Sequence, residues 1–144
     1  MSLEIPQPFA GHPDLTVEIT TGTEHWRAGE IALAVGGDGR VEVLNRRAGE
    51  EQRFSGRLDA SDVDALGADV AGLRLPGRGG DTEPDETPVL VAVRRDGEVL
   101  SAGEAWDGRR YEDARLDGLL RRFDAIVSDV TGGRLPYGDE GPIG

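Results

Sequence analysis

The sequence predicts an α+β fold: antiparallel hairpins with two helices, arranged as two copies of a β-β-β-α unit sharing one core. Three observations lead to that reading. Short runs alternate apolar and polar residues with the period of two that marks a strand with one wet face; two Asp-Gly dipeptides sit between such runs; and two longer stretches place apolar residues at helical spacing.

Residues 1–14 are punctuated by Pro6, Pro8 and Pro13 and show no period, which suggests a flexible lead-in. Leu15, Val17 and Ile19 then alternate with Thr16, Glu18 and Thr20 as a first strand, and a polar connection follows with Gly22, His25 and Trp26. Ile31, Leu33 and Val35 lead to Asp38-Gly39, with Val41, Val43 and Leu44 beyond it. Asp-Gly suits a two-residue turn, because glycine takes positive φ without a Cβ penalty and aspartate tolerates it. Ala48-Gly49 marks a further turn, and residues 51–55 around Phe54 form a third strand.

A helix follows. Asp59 is placed to cap it, Asp62 stands three positions on, and Leu58 and Val63 are spaced as a hydrophobic staple. Val63, Leu66, Val70 and Leu73 share one face, and the pattern stops at Leu75-Pro76-Gly77. Residues 76–87 read as an exposed linking loop, glycine-rich and then acidic. Val89, Val91 and Val93 open a second hairpin around Asp96-Gly97, continued by Val99 and Leu100. Asp107-Gly108 can reverse the chain again toward Tyr111. A second helix covers about 113–130, with Leu116, Leu119, Leu120, Phe123, Ile126, Val127 and Val130 as its stripe; residues 137–144 are a tail.

The halves echo each other. Asp38-Gly39 matches Asp96-Gly97, Gly49 matches Gly108, Phe54 matches Tyr111, and Leu58 matches Leu116, all 57 to 59 residues apart. Leu73-Arg74-Leu75-Pro76 is answered by Gly133-Arg134-Leu135-Pro136. The units would run from about 30 to 76 and 88 to 136 within a single domain, 15–136, because each half alone is small enough to fold only marginally. They could share one sheet with both helices on one face, or form two sheets that meet face to face.

Composition narrows the functions. The 144 residues carry a formal charge of −12, spread over both halves, which disfavours nucleic acid and anionic membranes and suits a basic protein partner. A solvated acidic surface is the plainer account of the same charge. The absence of cysteine excludes disulfides, thiol nucleophiles and thiolate metal clusters. No apolar run approaches the ~20 residues of a spanning helix, and Met1 to Phe9 do not resemble a secretory signal, so a cytoplasmic location is the expectation.

No catalytic or metal constellation emerges, and no cofactor is expected. His12 lies near Asp14, and His25 stands between Glu24 and Trp26, but two histidines without a paired spacing do not make a zinc site. Asp81, Glu83, Asp85 and Glu86 resemble a calcium loop only loosely. Counted from Asp81, the sixth position is Glu86 and the twelfth Ala92, where glycine and glutamate are required. That run reads instead as an acidic contact loop. The strongest local candidate is Trp106-Asp107-Gly108-Arg109-Arg110-Tyr111, where a tight turn gathers two aromatics and two guanidinium groups of the kinds that anchor interfaces. The competing reading turns Trp106 and Tyr111 into the core and leaves Arg109 and Arg110 to surface acids. His25 and Trp26 form a second candidate patch.

In shape and charge the chain resembles small binding proteins such as toxin-immunity proteins and peptidase inhibitors, a likeness that assigns no residues. It implies a noncatalytic protein-binding module of inhibitor, immunity or regulatory type. The alternatives are a small-ligand binder or enzyme with a pocket near His25 and Trp26 or near Trp106, and a structural domain that self-associates through a sheet edge or helix face.

Overall fold

A computed structural model describes residues 3, 5–6, 9–22, 29–47, 49–73, 88–106 and 113–132. The alternating runs become β1 (Leu15–Thr21), β2 (Glu30–Gly36), β3 (Arg40–Arg47), β4 (Glu50–Arg57), β5 (Pro88–Arg95) and β6 (Glu98–Trp106). The helical stripes become α1 (Ala60–Ala71) and α2 (Ala114–Thr131). The strands form one antiparallel sheet in the order β4-β3-β2-β1-β5-β6. Of the two arrangements open to the sequence, the shared sheet is the one adopted, with β1 between the two hairpins.

Period-two alternation sends Leu15, Val17, Ile19, Leu33, Val35, Val41, Val43, Val89, Val91 and Val93 to one face, where all are buried. The helices close over that face with Val63, Leu66, Val70, Leu116, Leu119, Phe123 and Val127. α1 is capped as expected, Asp59 accepting the Asp62 N–H at 2.9 Å, and the structure adds a cap on α2, where Asp113 accepts the N–H groups of Arg115 and Leu116. α2 ends on Gly132, whose φ of +66° is the left-handed C-terminal conformation that glycine favours. The helices belong to different halves of the chain but pack on each other, and α2 lies over β3 and β4 of the first half. Val130 sits against Gly56 of β4.

Three details depart from the sequence reading. The lead-in is anchored: Leu3 and Phe9 are buried in the core, the Leu3 N–H donates to the Leu73 carbonyl, and the Ala10 N–H donates to Asp64. Proline spacing conceals this, since single apolar residues in a nonperiodic segment carry no pattern. The first Asp-Gly turn is longer than two residues. β2 ends at Gly36 and β3 starts at Arg40, and of Asp38 and Gly39 only Gly39 has positive φ. Gly37 takes up the extra place: its N–H donates to Leu15 and its carbonyl accepts from Gly11, and a Cβ there would overlap the His12 carbonyl. The second hairpin does turn on two residues, with Asp96 at φ +51° and Gly97 at +87°. Finally, a register shift at Val93/Arg94 leaves Val99 51% and Leu100 41% exposed, so β6 meets the core with Gly103 and Ala105 instead. The short third strand expected near Tyr111 lies outside the described residues, as do the linking loop 76–87 and the tail 137–144.

Candidate functional site: the open end of the sheet

The two ends of the sheet are built differently. At one end the connections are short and tied down. The turns at 37–39 and 96–97 are there, the Leu58 N–H donates to the Gly39 carbonyl at 2.8 Å, and the Asp96 N–H donates to Asp14. His12 and Asp14 are at this end as well; Asp14 is paired with Arg95 at 2.9 Å, and the His12 backbone bonds Phe9 and Leu15.

At the other end the strands open into the segments that carry the sequence candidates. His25 and Trp26 fall in 23–28, Asp81, Glu83, Asp85 and Glu86 in 74–87, and Arg109, Arg110 and Tyr111 in 107–112; all nine lie outside the described residues. Their anchors are described. Gly22 and Gly29, both at positive φ, form a neck so close that a Cβ on Gly22 would overlap the Gly29 carbonyl. The Gly22 N–H donates to the Pro88 carbonyl at 3.2 Å, and Pro88 is the register partner of Trp106. Gly29, Gly22, Pro88 and Trp106 thus lead out from β2, β1, β5 and β6, which are consecutive in the sheet. At ~4.8 Å per strand these exits span roughly 14 Å. The C-terminus of α1 and the N-terminus of α2, where the other ends of 74–87 and 107–112 attach, are joined by a bond from Arg115 to the Gly72 carbonyl.

The second feature, which strand alternation alone could have revealed, is the sheet face away from the helices. One registered row crosses all six strands: Arg53, Leu44, Ala32, Thr20, Leu90, Glu104. The parallel row beside it reads Ser55, Glu42, Ala34, Glu18, Ala92, Ala102. The charges on this face balance, Arg40, Arg46, Arg53, Arg57 and Arg94 against Glu18, Glu30, Glu42, Glu51 and Glu104, although the chain as a whole is at −12. Some already pair, Arg94 with Glu18 at 2.6 Å and Arg46 with Glu51 at 3.1 Å. The alanines of β2 leave a shallow depression of about 390 Å³ bordered by Leu44, Glu42 and Arg53. A groove between the helices mixes the charged Asp62, Arg121, Arg122 and Asp129 with the apolar Leu58, Ala125 and Ile126; Arg121 is held by Asp117 and Arg122 by Asp69.

Among the described residues no group of three or more histidine and carboxylate side chains is placed to hold a metal, and no helix is long and apolar enough to cross a membrane. Asp59 is the described group with a resolved pKa shift; the Asp62 N–H and then the Ser61 hydroxyl hold its carboxyl below the ordinary value of 3.8. That shift reflects helix capping. No protein-family model matches the chain, and no curated protein matches it in sequence.

Proposed function

We propose that the chain is a noncatalytic, acidic protein-binding module of inhibitor, immunity or regulatory type that meets a basic protein partner with the open end of its sheet. The observation that carries this reading is the adjacency of the exits at Gly29, Gly22, Pro88 and Trp106 on consecutive strands. A packed sheet that releases several segments side by side can present them as one surface, with the rigid part of the domain behind it. Those segments carry the residues suited to contact: Trp26 and Tyr111 as anchors, and the run Asp81, Glu83, Asp85, Glu86 as the charge that attracts a basic surface.

Affinity capture from the source cell extract, at low and moderate salt, tests the reading. The wild-type chain is compared with D81N/E83Q/D85N/E86Q and with W106A/Y111A. The expected result is a basic protein retained by the wild type, released as salt rises, and lost to at least about tenfold by each variant. No retained partner, or equal retention by all three chains, defeats the proposal.

A further inference from the structure

We propose that the sheet face away from the helices, which none of the described elements covers, is a self-association surface on which a second copy of this chain packs about a two-fold axis parallel to the strands, between β1 and β2. This is a different surface from the open end and stands independently of the function proposed for it.

The row Arg53, Leu44, Ala32, Thr20, Leu90, Glu104 carries the argument, because it complements its own reverse. A two-fold axis along the strands reverses the row. Arg53 then faces the partner's Glu104, Leu44 faces the partner's Leu90, and Ala32 faces the partner's Thr20. The row has opposite charges at its two ends and a leucine one place in from each, as an isologous contact requires. Leu44 and Leu90 are half-buried within the single chain, so each has apolar surface left to cover. The depression over the alanines of β2 lies where the partner's Leu90 would enter.

Charge and area agree with a second copy. On a chain at −12, this face brings equal numbers of arginines and glutamates together, so two copies meet here with no net charge on the contact. The axis also brings Arg40 toward the partner's Arg94, whose guanidinium is already held by Glu18 at 2.6 Å. Six strands of about seven residues give a face of roughly 29 by 23 Å, a footprint of about 650 Å² before side-chain relief is counted. That approaches the ~800 Å² per partner of a standard interface. Sheets stacked in this way pack ~10 Å apart with their strands within about 30° of parallel.

Sedimentation velocity on the full chain, from roughly 5 to roughly 500 μM, reads the outcome. The expected result is a rise with concentration to twice the 15.3 kDa chain mass. Leu44→Glu weakens the dimer by at least about tenfold, as does Arg53→Glu, and Arg53→Glu combined with Glu104→Arg restores it. Arg53 is 73% exposed at its side chain, so its reversal leaves folding intact, which circular dichroism verifies. Arg121→Ser on α2, on the other side of the molecule and 75% exposed at its side chain, leaves the dimer unchanged. A single-chain mass at every concentration, failure of the double reversal to restore association, or loss of the dimer in the α2 variant overturns the proposal.

Discussion

Phe9 shows how much one residue outside any element can contribute. Its side chain is fully buried, and its Cβ stands where a Cβ on Gly67 would come within 2.6 Å. Phe9→Ala therefore opens a cavity over α1 and should cost about 3–5 kcal/mol in urea denaturation, comparable with a core position such as Leu66 at about 2–5 kcal/mol. Gly118 is the opposite case. It lies inside α2, exposed, and a Cβ there meets nothing within 4 Å. Gly118→Ala should raise stability by about 1 kcal/mol, read as a higher melting temperature, because alanine loses less backbone freedom on entering a helix.

Helix starts are the clearest lesson at the scale of the element. Asp113 accepts two N–H bonds at the start of α2, so Asp113→Ala should cost about 0.5–2 kcal/mol by denaturant titration. Asp59 adds a pH dependence. Its folded pKa lies below the ordinary value of 3.8, so its contribution is present in full above that pH and disappears as pH falls through the folded value. Acid titration of Asp59→Asn against the wild type should show a smaller loss of stability below about pH 4. The Asp59 cap was legible in the sequence, as were the apolar stripes, because spacing and chemistry act locally there. The first hairpin turn and the register shift in β6 were not. Gly37 is claimed by residues 11–15, and the shift at Val93/Arg94 that leaves Val99 and Leu100 exposed has no signal in the apolar pattern of the hairpin. Neither cause is local. For the candidate site, the sequence singled out residues by type; that the segments carrying them leave from neighbouring strand ends follows only from the strand order, which brings β5 beside β1.

At the scale of the molecule the two halves are interlocked. β2-β3-β4-α1 and β5-β6-α2 follow one another as similar progressions, but α2 covers the strands of the first half and β5 pairs with β1. A chain ending at residue 75 would leave the inner faces of β3 and β4 without their cover. It should show no cooperative unfolding transition, whereas the whole chain should show one by both circular dichroism and tryptophan fluorescence.

The contrast between the two sheet ends bears on how such a chain can change over generations. Every strand but β4 and β6 has a paired neighbour on each side, and the ladders are held in register by the short turns at 37–39 and 96–97 and by the bonds of residues 9–15. Insertions or deletions between Gly22 and Gly29, or between Leu73 and Pro88, therefore need not shift any ladder, since closing a longer loop costs only about 0.6 kcal/mol per doubling of its length. One residue gained at 37–39 would displace Gly37 from Leu15 and Gly11. Length variation is thus cheap in the long segments and costly in the tight turns, which leaves a lineage free to alter what it contacts while keeping the framework that presents it.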